Sequence, residues 1–502
     1  MKKFIVSTVI LLFTVITAKG EDGDVFTGFT SEGIAMQFVV ISESGKTCQV
    51  KSFAIASDTE GTVTIPSAVN GYSVIAIGSW AFSGCKTITK IYISNSVESI
   101  GRSAFGGCSS LAYIDIPNNV NIIEYNAFED TPWFKNQPDG VVYAGLVAYK
   151  YKGVMPDDTE INIKEGTIAI ANLAFGRCSK LKSITMPNSV LSIGVSAFLN
   201  CSSLNSITIS NNVRSIGYNA FYGCIKLETI AIPSCVTYVG EDAFYNTLWY
   251  KNLPDGLVYI GKTVYKYKGT MPDGTIVNLK DGTTCISGKA FQGCKGLISI
   301  TIPFGVTVIG NSVFADCNSL SSINIPNSVT TIGNSAFYGC SSLTSFSIPN
   351  TITNIDYNTF YGCSQLSSID IPNGVTRISD GAFSGCCGLT SISFPNSVNF
   401  IGADSFRSCI NINSIKLPNS VKSIGTYAFG ECEGLVSADL GNGVVSIENV
   451  AFYGCSNLSS IKFSNDLTSI GEDAFWGTSW YERQPNGMLY IDRKSTPSEL
   501  QS

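Results

Sequence analysis

No histidine occurs anywhere among the 502 residues. That excludes a Ser-His-Asp triad, a Cys-His pair and a His-ligated zinc. Enzymatic chemistry would have to rest on paired carboxylates, lysine or a cofactor. Charge is scarce as well: 14% of the residues are Asp, Glu, Lys or Arg, against about a quarter in ordinary domains. The net charge is −6 and no basic run appears, which argues against nucleic acid as a partner. Glycine (48), cysteine (17) and an apolar share of 44% are what the chain has instead, enough for a large core.

The first residues read as an export signal. Met1-Lys2-Lys3 is basic, residues 4–16 are apolar, and Ala18 and Gly20 supply small residues at a cleavage point. The apolar run is short for a membrane span, and no later stretch reaches that length. The expectation is a signal peptide at 1–20, a mature chain of charge −9, and no transmembrane segment after cleavage. Residues 492–502 read as a polar tail.

Aligning phenylalanines exposes a period. Phe occurs at 82, 105, 128, 175, 198, 221, 244, 291, 314, 337, 360, 383, 406, 429, 452 and 475. Thirteen of the fifteen intervals are 23 residues and two are 47. Residues 336–358, AFYGCSSLTSFSIPNTITNIDYN, are a clear copy of the unit. Such a chain is a solenoid in which each turn buries its apolar edge against its neighbours. The expected fold is α/β repeat but mainly β: a right-handed leucine-rich-repeat solenoid of about 16 coils with short helical turns. Leu343, Phe346 and Ile348 mark the inward side of a strand, and Phe fills the core from a tight turn. Pro and Asn end the strand, with Asn in its slot in 11 of 13 regular repeats, and an inward Asn could satisfy backbone groups. The residue before Cys is mostly Gly, Asn or Asp, which suggests a positive φ.

Thirteen cysteines sit three residues after a Phe. An exported chain with this many cysteines invites a disulfide reading. Stacked equivalent positions point the same way, so buried free thiols are favoured. Cys48, Cys235, Cys285 and Cys387 fall outside this ladder and are the better disulfide candidates. No C-x-x-C pair or histidine closes a metal site, and no cofactor is expected.

At Phe128, Phe244 and Phe475 the ladder cysteine is replaced by Thr131, Thr247 and Thr478. Each is followed by a Trp-bearing segment with a Pro-Asp-Gly or Pro-Asn-Gly turn, and the first two end in Tyr-Lys-Tyr-Lys-Gly. Hairpin inserts at 131–160 and 247–276 are expected to protrude, with a truncated one at 478–491. Their Trp and Tyr either cover apolar edges, the favoured reading, or form an aromatic-basic binding edge. Residues 21–71 depart from the period and read as a β-rich N-terminal cap, with the solenoid over 72–491.

The unit AFxGCxxLxSIxIPNSVxSIG resembles the leucine-rich repeat of the BspA-like group, also called the Treponema pallidum type. The resemblance runs nearly continuously over 72–491. It implies a secreted or cell-surface protein that mediates adhesion or binds host or matrix proteins, without catalytic residues to carry over.

Outward strand positions lie eight and ten residues after each Phe. The first is Ser or Thr in 11 of 13 regular repeats, a solvated face without strong anchors. Lys90, Tyr92, Tyr113 and Asp115 depart most from it. With Trp133, Tyr149, Tyr151, Trp249, Tyr265 and Tyr267 of the inserts they are the ligand-binding candidates, and Tyr222, Tyr338, Tyr361 and Tyr453 form a further exposed series. No adjacent outward carboxylate pair suggests hydrolysis. The expectation is a non-catalytic protein with a protein or glycan ligand at a cell surface. The alternatives are a glycan-binding module or a structural surface-layer protein.

Overall fold

The computed structural model describes residues 23–484. The signal-peptide reading of 1–20, the tail and the end of the third insert lie outside them. The described chain divides into two compact units, one ending at Gly153 and one beginning at Val154. Both are built from solenoid turns with a 23-residue period, about 18 in all.

In a regular turn, a strand such as Ser322–Asn324 points its central Ile inward and its flanking residues to solvent. A two-residue strand such as Thr331–Ile332 forms the return side. Each strand pairs in parallel with its counterpart one period later, as Ile300 with Ile323 and Ile309 with Ile332. Between the return strand and the next outer strand lies the Ala-Phe segment. It runs as successive hydrogen-bonded turns, not as helix. The cause is two left-handed residues per turn. The residue two before Phe has φ of 48–66° in every copy, including bulky Trp80, Leu173 and Tyr427. The residue two after Phe is also left-handed throughout, from Gly84 to Gly477, as its Gly/Asn/Asp composition suggests. Among the described residues, helix is confined to Pro132–Lys135, Leu248–Asn252 and Ser479–Glu482.

The Phe rings form the core. In the first unit Phe82, Phe105 and Phe128 stack at 5.2 and 5.7 Å, within 6° of parallel. In the second unit the run from Phe291 to Phe475 continues likewise, for example 5.3 Å and 6° between Phe360 and Phe383. These are offset stacks at the repeat spacing. The Phe N–H donates forward to the carbonyl before the next Phe: Phe105 to Ala127 at 2.8 Å, Phe198 to Ala220 at 2.7 Å.

All 17 cysteines are free thiols, including Cys48, Cys235, Cys285 and Cys387. Ten ladder thiols donate to the Phe carbonyl of the preceding turn, as Cys108 to Phe82 at 3.0 Å and Cys340 to Phe314 at 3.1 Å. Cys85, Cys178 and Cys294 have no Phe at the corresponding earlier position. Burial pushes the Cys108, Cys285 and Cys363 thiols up to about 12. They are small core fillers with a weak donor, poor nucleophiles at neutral pH.

Two expectations are corrected. The Asn of the slot that ends the strand is exposed in all eleven repeats that carry it. It sits in a β-turn, closed in one copy by the Val329 N–H on Pro326 at 3.0 Å, and does not line the core. The hairpin inserts also do not simply protrude. In the second unit the hairpin Gly256–Ile260 and Thr263–Lys268 places Thr263 and Val264 in parallel with Cys285 and Ile286. Thr275–Asn278 then joins the outer sheet beside Leu297–Thr301. The insert is itself a turn without a Phe, so the turn count exceeds the 16 Phe markers.

The N-terminal strands Val25–Phe29 and Ala35–Ser42 are antiparallel. Thr47–Val50 pairs antiparallel with Ala35–Ser42 on one side and in parallel with Tyr72–Ile77 on the other. The parallel stack therefore begins ahead of the first Phe marker.

Thiol titration in denaturant without reductant is expected to count 17 thiols per chain, with most ladder thiols unreactive in the native protein. A denatured count below about ten would overturn the buried-thiol ladder.

Candidate functional site

Three parallel strands of the first unit, Gly61–Ile65, Ile88–Ile93 and Tyr113–Asp115, form one sheet. The period-2 alternation sends Val63, Ile91 and Ile114 inward and the residues beside them outward. Register sets Thr62, Lys90 and Tyr113 in one row and Thr64, Tyr92 and Asp115 in the next. All four candidates from these strands thus share one exposed patch. Tyr92 is 38% and Tyr113 46% exposed, and their rings meet at 5.6 Å.

The patch has a closed edge. Thr64 N–H and hydroxyl donate to the Glu32 carboxylate at 3.1 and 2.5 Å. Burial disfavours charge on Glu32, but hydrogen bonds with Thr64, Thr30 and backbone N–H groups outweigh it and hold its carboxyl at about 2. Glu32 occupies a donor that an edge strand would otherwise offer to another chain. The outer faces of the second unit are mostly small: Ser183 beside Ser206, Ser345 beside Ser368. A charged row lies there, with Lys416 and Lys462 exposed and Asp439 half-buried, and a 3.1 Å ion pair joins the last two strands through Asp439 and Lys462.

The hairpin candidates are used differently. Tyr149 and Tyr265 are 1% exposed, and this corrects their assignment as ligand contacts. Each stands edge-on to a Phe, at 5.1 Å from Phe128 and 5.9 Å from Phe244. Their hydroxyls accept the Phe128 and Phe244 N–H at 3.2 and 2.9 Å. In regular turns a carbonyl of the next turn fills that role, and the hairpins have none there. Thr131 and Thr247 cap the short helices, accepting from Phe134 and Tyr250 N–H at 3.1 Å. A Cys thiol would be a weak acceptor in that place, which explains the exchange of residue.

Trp133 and Trp249 are half-buried over Phe128 and Phe244, at 4.8 and 5.1 Å. Tyr151 and Tyr267 are half-buried, and Tyr267 packs on the core of the second unit. The lysines of the motif are also engaged. Lys150 pairs with Glu129 at 2.6 Å. The Lys152 ammonium donates to the Lys135 carbonyl at 2.7 Å and to that of Gln137, and Lys268 does the same at Lys251 and Leu253. These are helix C-terminal carbonyls, where a cation is favourable. The Tyr-Lys-Tyr-Lys runs therefore serve packing and capping. Position within the period carried the signal: Tyr149 and Tyr265 fall 21 residues after a Phe, next to the slot whose carbonyl they replace.

Among the described residues no group of three or more Cys, Asp or Glu side chains is placed to hold a metal ion. No helix there is long and apolar enough to cross a membrane.

A family model described as the BspA type leucine rich repeat region matches residues 30–137, 151–272, 258–389 and 376–486. The chain belongs to the BspA-type leucine-rich repeat family. Among solved structures, the BspA-type chain is similar to a leucine-rich repeat protein from Bacteroides ovatus, with 25% identity, 88% of this chain and 90% of that one covered, and a TM-score of 0.22. It is similar to a leucine rich cell surface protein from Faecalibacterium prausnitzii, at 23% identity, coverage of 82% and 94%, and a TM-score of 0.25. A third is the pneumococcal vaccine antigen PcpA, at 18% identity, coverage of 90% and 100%, and a TM-score of 0.24. No curated protein matches the chain.

Replacing Tyr265 by Phe keeps the ring and strands the Phe244 N–H. An unsatisfied buried donor costs about 1–3 kcal/mol, so exchange of the Phe244 amide is expected to quicken by about 5- to 150-fold. Unchanged exchange would count against the substitution of hydroxyl for carbonyl. The Glu32 contact adds an acid dependence. With its carboxyl lowered from 4.5 to about 2, it stabilises the fold fully above about pH 4.5 and loses that contribution as pH falls toward 2. The Thr64 amide shift should titrate with a midpoint near 2 and stay flat in Glu32→Gln. A midpoint near 4.5 would contradict the contact.

Proposed function

We propose that this protein is exported, stands at or near a cell surface, and acts as a non-catalytic binding scaffold for host or matrix proteins. The observation that carries this reading is the exposed pair Tyr92 and Tyr113, flanked by Lys90 and Asp115 on adjacent strands. Exposed tyrosines on a rigid sheet offer large contact area at low entropic cost, and such rings are enriched at the centre of protein interfaces. Lys90 and Asp115 supply charges of both signs around them, which set partner and orientation. Family membership supports a repeat scaffold, and the lack of histidine agrees with a binding role.

Each insert continues the turn stack of its own unit, with Trp133 and Trp249 as partial covers of Phe128 and Phe244. The domain reading follows: a cap over 21–71 carrying Glu32 to the edge of the patch, and repeats over 72–491 presenting it.

Binding of the full mature chain to an array of matrix proteins is expected to be saturable. Tyr92→Ala with Tyr113→Ala is expected to weaken it tenfold or more, about 1.4 kcal/mol or above, with unfolding unchanged. Binding that survives the double variant would place the contact elsewhere. Ordered self-assembly without binding to any array member would favour a structural surface-layer protein.

A further inference from the structure

In the second unit a cleft of about 510 Å³ opens on the turn face across residues 357–431. That size is within the range of small-molecule sites. Its origin is legible in one turn. Residues 381–385 read Gly-Ala-Phe-Ser-Gly, whereas the turn before reads Asn-Thr-Phe-Tyr-Gly and the turn after Asp-Ser-Phe-Arg-Ser. Ala382 and Phe383 are fully buried. The rung between Tyr361 and Arg407 thus carries only the small side chain of Ser384, which is 5% exposed at the bottom of the cleft. Gly381 lets the Asn358 amide fold over the floor of the cleft, where a Cβ would meet its oxygen at 2.1 Å.

Both walls are prepared. Tyr338 and Tyr361 stack at 4.9 Å and 7°, one rung apart. Tyr338 covers one face of Tyr361, and the other face is on the side of Ser384. On the far wall Arg407 donates to Glu431 at 3.0 and 3.3 Å, and Ser408 donates to the same carboxylate at 2.9 Å. The guanidinium also lies 4.6 Å from the centre of the Tyr427 ring. Arg407 is thereby held in place as a flat, charged wall.

We propose that this cleft binds one pyranose unit of a neutral or amino-substituted glycan, its ring seated over Ser384 against Tyr361. The C–H face of such a ring is electropositive and matches the negative face of the tyrosine. Its hydroxyls donate to Asp380, Asp404 and Glu431 and accept from Arg407. An aromatic side chain would stack equally well but would bury those carboxylates without donors. Three carboxylates against one arginine leave the walls at a net −2, which disfavours sialic or uronic acids. This site lies in a different unit from the Tyr92 and Tyr113 patch and takes a different class of ligand.

The test uses the full mature chain and calorimetric titration with mannotriose, cellotriose, galactobiose, chitotriose and sialyllactose. Saturable binding of at least one neutral sugar, and none of sialyllactose, is expected. Ser384→Tyr fills the rung. The fold accepts Tyr in the equivalent position at 222, 338, 361 and 453, so thermal unfolding should be unchanged while affinity falls at least tenfold. Tyr361→Ala should weaken binding similarly, and Tyr92→Ala with Tyr113→Ala should leave it intact. No binding of any neutral sugar, preference for sialyllactose, or unchanged affinity in a folded Ser384→Tyr protein would each overturn the proposal.

Discussion

Every turn depends on the next one for its hydrogen bonds. The Ala-Phe segment alternates right- and left-handed residues, so its N–H groups cannot close a helix on themselves. They reach forward instead, from the Phe N–H to a carbonyl one turn on. The Cys thiol reaches backward to the Phe carbonyl of the turn before. A single turn would leave these groups unsatisfied, and a buried unsatisfied group costs about as much as a lost hydrogen bond. The stacked Phe rings add the apolar half of the same dependence.

The inserts show how strict this requirement is. A hairpin brings no carbonyl to the place where the Phe128 or Phe244 N–H needs one. Tyr149 and Tyr265 bring a hydroxyl there instead, and their rings turn edge-on to close the column. Thr131 and Thr247 change from core filler to helix cap, and Lys152 and Lys268 bind the helix ends. What reads in the sequence as an aromatic-basic edge is largely the chemistry of interrupting a ladder without orphaning its donors.

Function then falls to positions the ladder does not use. On the outer strands two tyrosines replace the usual Ser or Thr, and they stay exposed because their neighbours in register are small or charged. On the turn face the contrast is local: the small Ser384 stands between Tyr361 and Arg407 of the neighbouring turns. A repeat surface acquires a site either by adding a large side chain to a row or by setting a small one between large neighbours.

The period, the inward strand positions, the buried thiols and the left-handed slot before Cys were legible from the sequence, because a 23-residue repeat imposes the same environment at each copy. The grouping of Lys90, Tyr92, Tyr113 and Asp115 was legible for the same reason, since parallel pairing preserves register. The exposure of the Asn in the Pro-Asn turn was not, because a polar residue after a strand suits a core ladder and a surface turn equally. Nor was the left-handed slot two before Phe, which Trp80, Leu173 and Val450 occupy against their preference. The sequence by itself determined which residues repeat and face inward. Only the tertiary structure decided which polar groups the stack consumes and which it leaves free, because that depends on what the adjacent turn presents and not on the residue's own chemistry.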